Sequence, residues 1–128
     1  MPTLYLSPST QHFNPTVIGS SEEYYMNLIA DAMEPYLTAS GIEFTRNTPD
    51  MTAASSIRAS NAGGYDLHLA IHSNAAPEYL SGRLRGSDAY YYPTSANSRR
   101  FADLIVENLQ AVYPRPGQRG GFAHHIHR

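Results

Sequence analysis

The stretch DLHLAIHSNAAP, residues 66–77, decides how this chain is read. From Asp66 to His72 it is nearly continuously apolar, the pattern of a strand covered on both faces within a parallel sheet. Gly63 and Gly64 set it off as a turn signal, and Ser73 and Asn74 follow it at once. A strand that ends by delivering a histidine into small polar residues makes either a tight turn or the edge of a site. In open α/β sheets, ligands gather beyond the carboxyl ends of the strands.

Reading outward supports that sheet. Upstream, Thr3–Leu6 is a short apolar strand, and Ser21–Ala39 repeats Met26, Ile29, Met33 and Leu37 at helical spacing. Ser20 and Glu23 suit a capping box, Gly41 suits the stop, and Pro35 should kink or shorten the helix. Ile42–Arg46 reads as a second strand and Thr52–Ala62 as a weaker helix. Downstream, Asp88–Tyr92 is a fourth strand, and Ser98–Val112 a strong helix with Phe101, Leu104, Ile105, Leu109 and Val112 on one face. Strands alternating with helices predict a three-layer α/β domain, a mainly parallel or mixed sheet with helices on both faces. From Pro114 the character changes: PRPGQRGG holds breakers and arginines, and FAHHIHR has no periodicity. The expected organisation is a domain over 1–113 and an irregular tail over 114–128.

At 128 residues the chain can build one real core, and its 41% hydrophobic content is ordinary for a globular protein. A net charge of -2 supplies no basic field, so nucleic acid is not an expected partner. With no cysteine, disulfides and thiolate metal sites are excluded, and any metal must be held by His, Asp or Glu. The opening MPTLYLSPS has no basic segment before a long apolar one; neither a signal peptide nor a membrane span is expected. Nucleophilic hydrolysis has no support either, since there is no Gly-x-Ser-x-Gly elbow.

Three segments deliver candidate ligands to one edge of the sheet. His72 ends the third strand, His12 lies in the loop STQHFNP after the first, and Glu22 and Glu23 open the helix that this loop feeds. Two imidazoles and a carboxylate suit a catalytic zinc, which takes three protein ligands and leaves a fourth position for water. Each residue also has a plain reading. His12 can be a solvated loop residue, Glu23 a helix cap, and His72 a hydrogen-bonded core histidine. His68 lies on the same side of the strand as His72 but deeper, which favours packing.

EEYYMNLIADAMEPYLTASGIEFTRN, then DLHLAIHSNAAP, then GSDAYYYP, together resemble the zinc-dependent N-acetylmuramoyl-L-alanine amidases, specifically the amidase-3 catalytic domain of bacterial and phage cell-wall enzymes, autolysins and endolysins among them. In that family a glutamate precedes an Asn-Leu pair by four positions, which selects Glu23 before Asn27 and Leu28. An Ile-His-x-Asn-Ala motif is matched by Ile71, His72, Ser73, Asn74 and Ala75, and a glycine before a tyrosine-rich strand by Gly86. The likeness runs over roughly residues 3–113.

The resemblance implies a hydrolase that cleaves the amide between N-acetylmuramic acid and L-alanine in peptidoglycan, in the bacterial cell wall, with zinc on His12, Glu23 and His72; a monomer is expected, though nothing in the sequence fixes the oligomeric state. Asn74 would shape the loop around His72. By their place in the following loop, Arg83 and Arg85 are candidates to meet stem-peptide carboxylates, against the plainer reading of a solvated loop. There are two departures. The family's Asp-Pro-Gly-His-Gly-Gly loop is replaced by SPSTQHFNP, which offsets His12. The family's later strand bearing the general-base glutamate has no match after Val112, so the domain is expected to be incomplete at its C-terminus. Glu78 and Glu107 lie outside the motif. The competing expectation is a catalytically weak or inactive peptidoglycan-binding remnant, and the remaining one an unrelated small α/β protein.

Overall fold

A computed structural model of the protein describes residues 1–10, 21–73 and 87–112, and the backbone of 123–125. These fall in two compact units, Met1–Asn74 and Ala75–Arg128.

The first unit is an α/β sandwich. Its elements are β1 (Thr3–Pro8), α1 (Glu22–Ala39), β2 (Glu43–Arg46), α2 (Ala53–Gly63) and β3 (Leu67–Ile71). The sheet order is β2-β1-β3, with both pairings parallel: Leu4 lies opposite Phe44 on one side and Leu67 on the other. The chain moves one way from β1 to β2 and the other way from β2 to β3. With right-handed crossovers, α1 and α2 must then cover opposite faces of the sheet. The side chains agree. Leu4, Leu6, Phe44, Leu67, Leu69 and Ile71 pack with Ala30, Met33 and Leu37 of α1. The alternate residues Ser7, His68 and Ala70 share a recess with Ala53, Ser56 and Ile57 of α2. Leu6, fully buried at the centre, contributes on the order of 1.5–3 kcal/mol.

Several sequence expectations move by a residue or two, and one shift has consequences. The N-cap of α1 is Ser21, whose side chain accepts the Tyr24 N–H, rather than Ser20. Glu22 is thereby the first helical residue and joins the buried stripe Glu22, Met26, Ala30, while Ile29, expected inward, stands 45% exposed. Pro35 does not shorten α1, which runs on to Ala39 before Gly41 turns the chain at φ +72°. Thr52 and Ser55 form a capping box on α2, and Gly64 closes it in the left-handed region at φ 65°. β3 is half-buried rather than covered throughout, because among the described residues it pairs with β1 alone.

The second unit holds β4 (Ala89–Tyr91), α3 (Ala96–Val112) and β5 (Ala123–His125). β5 runs parallel to β4, Ala89 opposite Ala123, so a strand forms within the stretch expected to be an irregular tail. Ser95 caps α3 through the Ser98 N–H. The helix buries Ala102 and Val106, whereas Phe101, Leu104, Leu109 and Val112, expected on its packed face, are exposed. A helix with apolar residues on several sides shows its smaller ones to strands only three residues long. Among the described residues no helix is long and apolar enough to cross a membrane.

Candidate active site

The carboxyl ends of β1 and β3 lie side by side, at the edge beyond which α/β sheets bind ligands. The Ser9 N–H donates to the Ile71 carbonyl at 2.9 Å, so the two strand ends stay joined as they enter their loops. From β2, the Asn47 amide donates to the Pro8 carbonyl at 3.0 Å and to the Ser7 and Ser56 hydroxyls at 3.2 Å. These bonds hold the crest of the sheet in place independently of Glu22 and His72.

Onto this crest α1 brings Glu22, which is 4% exposed. Its Oε2 accepts the Ser9 hydroxyl at 2.6 Å, and its Oε1 accepts the Ser73 N–H at 2.6 Å and the Ser73 hydroxyl at 3.2 Å. His72 Nδ1 stands 3.9 Å from the same Oε1, its side chain 41% exposed. Burying a carboxylate is costly without partners, and three donors from two loops offset that cost. The imidazole is open to substrate on one side and faces the carboxylate on the other.

His68 takes the packing role that the sequence suggested. It stacks on Tyr5 at 5.4 Å, and Tyr5 meets Tyr65 at 5.3 Å. Burial, and then the neighbouring charge on His72, hold the His68 imidazole below its ordinary pKa. It is therefore neutral at pH 7 and lies behind His72 in a recess of about 60 Å³.

Of the residues selected from sequence, His72 stands at the crest. Glu23 is half-buried in the first turn of α1, where its carbonyl accepts the Asn27 side chain at 2.8 Å. The carboxylate packed against His72 is Glu22, and Ser9 and Ser73, its partners, were not anticipated. The signal was present: Glu22 lies four residues before Met26 and eight before Ala30, on one helical stripe. His12, Asn74, Glu78, Arg83 and Arg85 lie outside the described residues, and Glu107 is exposed on α3.

The pair meets the chemistry of a zinc site. Imidazole nitrogen and carboxylate oxygen are zinc's preferred neutral-pH donors besides thiolate, and two tetrahedral ligands about 2.1 Å from the metal are about 3.4 Å apart. The observed 3.9 Å closes to that with a shift of about half an ångström. Among the described residues no third His, Asp or Glu joins the pair.

Residues 12–124 match the family described as N-acetylmuramoyl-L-alanine amidase, amidase-3 type. The chain belongs to this family. The match begins at His12 and runs past Val112 into β5. No curated protein sequence matches the chain significantly. Membership makes this a cell-wall amidase domain, a hydrolase whose substrate class is peptidoglycan.

Proposed function

We propose that the protein is a zinc-dependent amidase that hydrolyses the bond between the lactyl group of N-acetylmuramic acid and L-alanine. The observation carrying this reading is the buried Glu22 carboxylate facing His72 Nδ1 beyond the carboxyl ends of β1 and β3, in a chain of this family. Glu22 and His72 would hold the metal with His12, from the loop between β1 and α1, as third ligand. Glu22 replaces Glu23 in this set because its carboxylate is the one beside His72. When bound, zinc supplies Lewis acidity toward the scissile carbonyl and toward an attacking water.

The chain's own residues do the rest. Ser9 and Ser73 hold both oxygens of Glu22, so its orientation is set before substrate arrives. The exposed side of His72 leaves the approach open to a polymer as large as a glycan strand with its peptides. Asn74, Arg83 and Arg85 lie outside the described residues and stay candidates for substrate contact from the sequence, a guanidinium fork being suited to a stem-peptide carboxylate.

A second reading, a weakly active or inactive peptidoglycan-binding domain, rests on the sequence, in which no residue after Val112 matches the family's general-base glutamate. A positioned base typically adds ~10²–10⁴-fold to such a reaction. One experiment separates the readings. Purified cell wall is incubated with the chelator-stripped chain, then with the chain reloaded with zinc, and new amino-terminal L-alanine is measured. Zinc-restored release supports the amidase; wall binding without release in either state supports the second reading.

A further inference from the structure

α1 carries Glu22 to the site, yet its apolar surface only weakly fixes how it sits. Met26, Ala30, Met33 and Leu37 face the sheet, but Tyr24, Leu28, Ile29 and Tyr36 are exposed on its other sides, between 45% and 76%. A helix with apolar residues on several sides can bury a different stripe at little cost. Sliding by one residue carries a side chain about 1.5 Å along the axis and about 100° around it. Either displacement breaks the 2.6 Å contacts of Glu22 with Ser9 and Ser73.

One residue opposes that freedom. Arg46 ends β2, and its guanidinium reaches three turns of α1 at once. Nη1 donates to Asp31 Oδ1 and to Glu34 Oε2, both at 2.6 Å, and Nη2 donates to Asn27 Oδ1 at 2.7 Å. Positions 27, 31 and 34 are spaced by four and three, one face of the helix. Asn27 in turn donates to the Glu23 carbonyl at 2.8 Å, which extends the contact into the first turn beside Glu22. The Arg46 side chain is 21% exposed, and a planar guanidinium meets acceptors only in fixed directions. No rotated or shifted setting of α1 offers it the same three.

We propose that Arg46 is a positioning residue of the active site: by clamping Asn27, Asp31 and Glu34 it sets the rotation and height of α1 on the sheet, and so aims Glu22 at His72. The inference rests on the reading that Glu22 and His72 form the metal site.

The test uses the full chain with His124, His125 and His127 replaced by glutamine, so that only the internal site takes zinc. Arg46→Met keeps the stem and removes the fork; Arg46→Lys keeps the charge. Two properties are read well below the melting point: the zinc Kd by calorimetry, and the amide proton resonance of Ser73, which reports its bond to Glu22. In Arg46→Met the resonance should move upfield and the Kd rise ~10–100-fold, the range for partners that orient ligands. Arg46→Lys should recover part of both. An Arg46→Met chain that melts earlier but keeps the Ser73 resonance and the zinc Kd would show a clamp that is merely structural, and overturn the proposal. If Arg46→Met does not fold, Asn27→Ala and Glu34→Gln each remove one arm and are judged by the same two readings. If the parent chain binds no zinc, the metal reading falls, while the Ser73 resonance still decides the clamp.

Discussion

Replacing Glu22 by glutamine removes one buried charge and leaves the side-chain volume nearly unchanged. Three hydrogen bonds converge on this carboxylate, from the Ser9 hydroxyl, the Ser73 N–H and the Ser73 hydroxyl. Glutamine keeps an acceptor oxygen for Ser73 and turns its N–H toward Ser9, whose hydroxyl must rotate to accept; bonds to a charged group contribute ~1.5–3 kcal/mol and neutral ones ~0.5–1.5, so each loses about 1 kcal/mol. Against that loss of ~3 kcal/mol stands the relief of no longer desolvating a charge, a cost of several kcal/mol in a buried site. The two nearly cancel, and the urea midpoint of the apo chain should move little. Zinc affinity has no such compensation. Removing a residue that only orients a ligand weakens metal binding ~10–100-fold, so loss of the ligand itself should exceed ~100-fold. Calorimetric zinc titration of the Glu22→Gln and Glu23→Gln variants, with the three terminal histidines replaced, checks this directly. Only Glu22→Gln should lose zinc. Loss in Glu23→Gln with retention in Glu22→Gln would refute the argument and restore the carboxylate selected by the Asn-Leu spacing.

Other outcomes follow from the same geometry. His72→Ala should lose bound zinc, measured as metal per chain after dialysis, because two remaining protein ligands hold the ion poorly. His68 has a folded pKa below its unfolded value near 6.5, so its contribution to stability is fully present above pH 6.5 and is lost as pH falls through the folded pKa. Melts of the apo chain between pH 5 and pH 8 should show that loss in the parent protein, and His68→Phe, which keeps the stack on Tyr5, should flatten it. Gly64→Ala forces an ordinary residue into the left-handed region at φ +65° with open space around its Cβ. The expected cost is about 1–2 kcal/mol in urea melts, with zinc affinity unchanged.

Much of the fold was legible because it rests on local rules. The apolar run ending at His72, the helical spacing of Met26, Met33 and Leu37, and the glycines at 41 and 64 specify strands, helices and stops through backbone preference and burial alone. Strands alternating with helices then require parallel pairing and crossovers, and the sheet order β2-β1-β3 meets that requirement. His72 was legible for the same reason, since the end of a parallel strand is where such sheets place their chemistry.

The identity of its carboxylate partner was not legible. Neighbouring glutamates on a helix point about 100° apart, so choosing between Glu22 and Glu23 depends on the N-cap to within one residue. The capping-box pattern pointed to Ser20 with Glu23, whereas the cap formed is Ser21. Contacts distant in sequence accompany the cap at Ser21: Arg46, twelve or more residues further along the chain, holds Asn27, Asp31 and Glu34, and Ser9 and Ser73 receive the Glu22 carboxylate. Local propensity determines that a helix begins near residue 21, and contacts distant in sequence decide which of its faces meets His72.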